Sequence, residues 1–365
     1  MKIKVAQSAL LSGLQVVQNV VGSRPSLPIL SNLLVTATKE GGVTLSTTDL
    51  DVSIRTRVEA TVDRPGATTL PAKRLSGIIR ELAAGEIEID VDDKDAADVT
   101  SGSSYFRIMG LSEDEFPPIP KAEGKFTYHL DQGVFREMLR KTAYAASTDE
   151  SRFVLNGVLL SFKNGKLTVV ATDGRRLALV ENEVEFPKGS EQEMILPTKA
   201  VNELMHTLAD EGVLNIVYQT NQAIFEYGNT MLASKLVDGN YPNYRQVIPA
   251  QSEQRVVIER ESLLTALKRV SLLATDKTSS AKLTFAKNKL VVSISAQDVG
   301  EARETVPVKY NGKELTAAFN PDYLMDPLRT LNNDEIYMEL SDELSPGVVK
   351  CDIPFLYVLM PMRVG

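Results

Sequence analysis

The stretch VVATDGRRLALV, residues 169–180, sets an aspartate, a glycine and two arginines between apolar runs. Those side chains suit three kinds of chemistry: an arginine grip on a phosphate, a catalytic carboxylate, or an Asp-Gly reversal that only bends a hairpin. A phosphoryl-transfer aspartate needs metal ligands and a phosphate cradle around it, and this segment supplies neither. The two histidines, His129 and His206, have no cysteine or carboxylate cluster at metal-ligand spacing. No glycine-rich phosphate loop and no strand-elbow serine motif occurs. Cys351 is the single cysteine and sits in a VVKCDIP strand setting that suits a core. It excludes an intrachain disulfide framework and fits a reducing cytoplasm. The residues therefore point to a protein that is not an enzyme, with no metal and no cofactor.

The elements that carry these residues recur three times. The first copy has a helix at AQSALLSGLQVV, a hairpin turning at KEGG and ending in STTDLDV, and a helix at LPAKRLSGIIREL. The second has DQGVFREMLRKTA, a hairpin turning at KNGK and running into VVATDGRRLALV, and LPTKAVNELMHTL. The third has ESLLTALKRVSLL, a strand pair through AKLTFAKNKLVVSIS, and FNPDYLMDPLRTL. Asn32 and Asn156 are 124 apart, as are Asp49 and Asp173; Pro71 and Pro197 are 126 apart, and Phe116-Pro117 and Tyr241-Pro242 are 125 apart. The strands alternate with period two and the helices with period 3.6, with Val134, Phe135, Met138 and Leu139 on one helical face opposite Arg136, Arg140 and Lys141. The expected fold class is α+β: three repeated domains of antiparallel sheets with two helices each, at 1–120, 127–250 and 254–365.

The repeat divides the opening motif. Asp49 stands where Asp173 stands, but without the glycine and arginines. Asp173 therefore reads as a turn residue that bonds its own downstream backbone. Gly174, Arg175, Arg176 and Leu177 belong to the middle copy alone and are the better candidates for function.

Charge is unevenly distributed. The 365 residues carry a net −8. The six helical segments hold eleven basic and eight acidic residues, a net +3, which leaves −11 for the rest. One reading is that Lys and Arg simply populate solvated helix faces. The other is that the helices share one surface and offer it to a polyanion, loosely and without sequence preference.

The repeats, RPSLPILSNLLV, RFVLNGVLL, TDGRRLA, SKLVDGNYPNYRQVIP, AFNPDYL and the terminal YVLMPMRVG together resemble the β subunit of bacterial DNA polymerase III, the sliding-clamp family, over essentially the whole chain. The resemblance implies a DNA-clamp fold that closes as a head-to-tail homodimer into a six-domain ring around double-stranded DNA, which it contacts without sequence preference. It implies a processivity factor that tethers the polymerase III α subunit and other polymerases. An ATP-driven clamp loader opens the ring, and no membrane is involved. The alternative is a repeat-built peptide-binding scaffold that never encloses DNA.

Carried onto this sequence, the partner-peptide groove comprises Leu155, Thr172, Gly174, Arg175, Arg176, Leu177, Pro242, Val247, Asn320, Tyr323, Leu344, Val358, Leu359, Met360, Pro361, Met362 and Arg363. The arginines form one wall and MPMR the other, with Asn320 and the arginines orienting a peptide backbone over an apolar slot. DNA-facing candidates are Arg24, Lys73, Arg74, Arg80, Arg136, Arg140, Lys141, Lys199, Lys268 and Arg269. The dimer interface would pair Arg74 and Arg107 with Glu301 and Glu304 of a second copy around Phe106, Ile108, Leu272 and Leu273. The chain departs from relatives at Asp149 and Glu150, where amides are common, and at Gln246, Leu344 and Pro346. Pro327 should kink or shorten the last helix.

Overall fold

A computed structural model of the chain describes residues 1–22, 27–40, 42–124, 126–249, 254–274, 280–296 and 299–363. Six α-helices occur among them: α1 (Gln7–Val17), α2 (Ala72–Glu81), α3 (Gln132–Arg140), α4 (Thr198–Thr207), α5 (Arg260–Val270) and α6 (Pro321–Thr330). Strands are numbered β1 to β25 in chain order. A five-stranded sheet runs β5 (Thr61–Arg64), β1 (Lys2–Ala6), β7 (Glu86–Val91), β8 (Ala96–Ser101), β9 (Ser104–Met109). An eight-stranded sheet runs β10 (Phe126–Asp131), β15 (Val213–Tyr218), β16 (Gln222–Tyr227), β17 (Thr230–Lys235), β4 (Val52–Val58), β3 (Gly42–Thr48), β2 (Asn32–Thr38), β6 (Gly66–Pro71). A twelve-stranded sheet begins β14 (Gln192–Pro197), β11 (Gly157–Lys163), β12 (Lys166–Thr172), β13 (Arg176–Glu183), β25 (Phe355–Leu359), β24 (Gly347–Lys350). It continues β23 (Glu335–Leu340), β18 (Gln254–Glu259), β21 (Gly300–Lys309), β20 (Lys289–Ala296), β19 (Ala281–Ala286), β22 (Leu315–Phe319). The ladders are antiparallel, as hairpin-connected strands require.

The chain packs as two bodies, Met1–Arg136 with Asn202–Leu236, and Glu137–Val201 with Val237–Gly365. The split passes through the expected middle repeat because each half of that repeat extends a sheet from another copy. In the first body, β17 pairs with β4, Leu232 opposite Ile54. In the second, β13 pairs with β25, Leu177 opposite Val358.

The helices bury the faces their periodicity marks. In α2, Leu75, Ser76 and Ile79 are buried while Lys73, Arg74 and Arg80 are exposed. In α5, Leu263, Leu264, Leu267 and Val270 are buried. Gly13 lets α1 lie close on its sheet, since a Cβ there would meet Val58 Cγ2 at 2.5 Å. Two sequence expectations need revision. Val134 is exposed, and of the four apolar residues of that face only Phe135, Met138 and Leu139 are buried; a four-residue stripe is wider than the surface this short helix covers. Pro327 does not shorten α6, which runs on to Thr330. Proline removes the N–H that would have bonded the Tyr323 carbonyl, and the Tyr357 hydroxyl donates to that oxygen instead, at 2.8 Å.

Candidate functional site

Asp173 shapes the turn between β12 and β13. Its Oδ1 accepts from the backbone N–H of Arg175 and Arg176 at 2.9 and 3.0 Å, and Thr172 Oγ1 accepts from Gly174 N–H at 3.1 Å. In the first body the same construction recurs. Asp49 Oδ1 accepts from Asp51 and Val52 at 3.0 and 2.7 Å, and Thr48 Oγ1 accepts from Leu50 at 3.1 Å. The aspartate is a repeated turn device, as its position in the repeat indicates. Gly174 has φ +82° and Leu50 has φ +78°, so the left-handed residue is repeated too; the glycine is a better choice for a conformation both copies adopt.

Arg176 is held inward. Its side chain is only 11% exposed and pairs with Asp173 at 3.1 Å and with Asp326 of α6. It donates through Nη2 to the Tyr144 carbonyl at 2.6 Å, and its guanidinium carbon lies 4.1 Å from the Tyr323 ring centroid. Burial works against the cation, but Tyr357, Asp326 and Asp173 outweigh it and raise the pKa above the ordinary arginine value. Burial likewise pushes the Tyr144 and Tyr357 phenols up. Arg175 is exposed.

The C-terminal segment lies beside this turn. Arg176 pairs with Leu359 in the β13–β25 ladder, and Met360 N–H donates to the Arg175 carbonyl at 2.9 Å. The GRR turn and MPMR are therefore neighbours along one sheet, not facing walls. Beneath them Leu159, Val170, Leu177, Ile195, Tyr244 and Val358 form a buried cluster, against which half-buried Val154, Tyr241 and Ile248 pack. Leu177 and Val358 are thus floor, Leu359 is buried but outside that cluster, and Val247 and Met360 are exposed at 51% and 44%. Pro242 is also exposed, Leu155 and Pro361 are half-buried, and Thr172 is buried.

Two cavities adjoin these residues. One of about 380 Å³ is lined by Asp149, Arg152, Asp173, Arg175, Arg176, Asn320, Asp322 and Tyr323 with Ala146, Ser147 and Thr148. The other, about 480 Å³, is lined by Leu344, Met362 and Arg363 with Lys282, Thr316, Ala317, Ala318 and Glu343. Met362 N–H donates to Ala318 O on β22 at 2.7 Å, which fixes the tail between them. Asn320 Oδ1 caps α6, accepting from Asp322 and Tyr323 at 2.9 and 3.2 Å, so only its NH₂ group remains for a ligand. Sequence reasoning missed Arg152, which donates to the Asp173 carbonyl at 3.2 Å, and the apolar Val154 and Tyr241. Val154 sits in the quoted RFVLNGVLL and Tyr241 in the repeated aromatic-proline pair, which were the available signals.

The basic helix residues divide into two groups. Lys73, Arg74, Arg80 and Lys268 are exposed with no ion pair among the described residues. Arg136 pairs with Asp210, Arg140 and Lys141 with Glu137, and Arg269 with Glu304. Lys199 is half-buried, and Arg24 lies outside the described residues. On the edge strand β9, Tyr105, Phe106 and Met109 are exposed, but Ile108 is buried in its own body. Arg107 is bonded to Asp92 and Asp98, and Glu301 to Arg303. After α5, Leu272 is 82% exposed and Leu273 half-buried. Most of the charges expected to meet across an interface therefore already have partners within the chain.

Among the described residues no His, Cys, Asp and Glu side chains group as a metal site, and no helix is long and apolar enough to cross a membrane.

Models of the DNA polymerase III beta subunit match the chain three times, the N-terminal domain at residues 1–120, the central domain at 129–243 and the C-terminal domain at 245–363. The beta sliding clamp of Chlamydia muridarum is 35% identical over 365 residues, covering 100% of this chain and 99% of that protein. That of Pseudomonas putida is 33% identical over 368 residues, covering 100% of both. Among solved structures, the Pseudomonas aeruginosa sliding clamp bound to griselimycin superimposes with a TM-score of 0.95 at 33% identity. The Bacillus subtilis sliding clamp does so with 0.95 at 28%, each covering 100% of both chains.

Proposed function

The chain belongs to the DNA polymerase III β subunit family, the sliding clamps of bacterial DNA replication, and from that premise we propose how its own residues perform the task. It is a processivity factor and not an enzyme. Two copies associate head to tail into a ring, the three repeats 1–120, 127–250 and 254–365 of each contributing six domains around duplex DNA in the cytoplasm. Lys73, Arg74, Arg80 and Lys268 supply unpaired positive charge to the phosphates. The exposed Tyr105, Phe106, Met109 and Leu272 supply the apolar part of the contact between copies.

The partner peptide lies over the cluster of Leu177, Tyr244 and Val358, between exposed Val247 and Met360. The observation that carries this reading is the β13–β25 ladder, which joins two motifs some 180 residues apart in sequence over one apolar floor. A groove of this kind derives affinity from the apolar contacts and orientation from a few polar groups. Methionines at its rim accommodate varied side chains, as a surface shared by several polymerases requires.

The test is topological. Protein placed on DNA by its cognate loader should stay on closed circles and run off after linearisation. Equal loss from circles and linear DNA would leave only a peptide-binding scaffold.

A further inference from the structure

We propose that Asp326 is a positioning residue of the peptide groove: it acts through Arg176 and Tyr323 and touches no partner itself. The inference rests on the groove reading above.

Arg176 has a fork of three nitrogens, and each already has an acceptor. Nε bonds Asp173, Nη1 bonds Asp326 and Nη2 bonds the Tyr144 carbonyl. Three of its five N–H groups are thus engaged within the chain, and with only 11% of its side chain exposed the guanidinium has little freedom to follow a peptide backbone. It is a bolt between the turn after β12 and the helix α6. Planar, multidentate geometry makes arginine suited to this role, which lysine's single point charge cannot fill.

Asp326 is the far end of the bolt, 150 residues along the chain and absent from the lining of either cavity. One helical turn before it stands Tyr323, whose ring is stacked under the same guanidinium and does line the cavity with Arg175 and Asn320. Tyr323 is fixed a second time, through its carbonyl, by the Tyr357 hydroxyl of β25. The rim of the site therefore depends on where α6 sits against β13, and the Arg176–Asp326 pair sets that distance. The pair is largely buried, Asp326 being 21% exposed, so removing one member leaves the other without its partner in a poorly solvated place.

The experiment measures binding of a fluorescein-labelled Leu- and Phe-containing peptide to the full-length protein at 25 °C. Asp326→Asn should weaken affinity by about tenfold, and Arg176→Met by a similar factor. The double variant should lose no more than Arg176→Met alone, since both act on one element. Asp326→Glu should recover part of the loss. Wild-type affinity in Asp326→Asn with loss in Arg176→Met would mean that Arg176 grips the peptide directly, and would overturn the proposal. A lowered melting temperature with unchanged affinity in both would overturn it as well, leaving a structural pair only. Should Asp326→Asn not stay folded at 25 °C, Arg176→Lys replaces it: the charge remains but the fork is lost, and unchanged affinity would count against the proposal. Met360→Ala tests the groove reading separately. Wild-type binding in that variant would refute the groove, whatever Asp326 does.

Discussion

Gly174→Ala separates two reasons for a glycine in the GRR turn: backbone conformation, or room for a ligand. Gly174 has φ +82°, and an added Cβ would find its nearest neighbour, Arg152 Nη1, at 3.4 Å, an ordinary contact with the end of a flexible side chain. Crowding within the chain therefore contributes little. A left-handed conformation costs a residue with a Cβ about 1–2 kcal/mol. The reduced freedom of the unfolded chain returns about 0.4–1 kcal/mol, leaving a net loss near 1 kcal/mol. Leu50 already occupies the same conformation in the first body with the same set of hydrogen bonds, so the turn itself should survive. In a body of this size that loss lowers the melting temperature by about 2–4 °C, read by calorimetry at fixed protein concentration because self-association shifts the midpoint. Peptide affinity should stay within about twofold. A tenfold loss of peptide binding alongside that small thermal shift would show that the glycine serves partner approach, and the backbone explanation would fail.

Three further expectations concern charge and the last helix. Replacing Lys73, Arg74 and Arg80 together by Ala should flatten the salt dependence of DNA binding by about 0.9 log unit for each phosphate no longer neutralised, whereas Arg269→Ala, already paired with Glu304, should change it less; equal slopes would discount the distinction. The hydrogen bond from Arg140 holds the Glu137 carboxyl below its ordinary value. Its stabilisation is complete above the unfolded carboxylate pKa and is lost as pH falls through the lowered folded value; urea titrations from neutral to acid pH should show a shallower decline in Glu137→Gln. Tyr357→Phe should destabilise by about 1–3 kcal/mol by stranding the Tyr323 carbonyl, and less in a Pro327→Ala background, where a restored N–H takes that bond; additive losses would refute the account of the proline.

What could be read in the sequence was local or repeated. The Asp49 and Asp173 turns, the Lys163–Lys166 reversal with Asn164 and Gly165 both at positive φ, and the buried stripes of α2 and α5 follow from spacing and residue type. The family motifs pointed to a groove, but not to the contacts each of its residues makes within the chain. The partners of Arg176 within the chain, Asp326 and the Tyr144 carbonyl, are distant in sequence or belong to the backbone, and neither leaves a pattern. The same limit explains why GRR and MPMR seemed to face each other: strand neighbours contributed by different repeats cannot be inferred from alternation. Those ladders also cut the packing into two bodies where the repeat implies three, since edge strands are completed by whichever copy reaches them.

If α3 and α5 face DNA, as the proposed function has it, their ion pairs bear on motion. A cation that already holds a carboxylate exchanges one anion for another when a phosphate passes, so the energy released is a difference between two similar contacts. Arg136 with Asp210, the Glu137 pair of Arg140 and Lys141, and Arg269 with Glu304 would each present a shallow well where a bare cation presents a deeper one. Travel along a charged rod is slowed by the roughness of such a landscape, so the carboxylates would act as a lubricant: they lower friction per base pair, while closure of the ring does the holding.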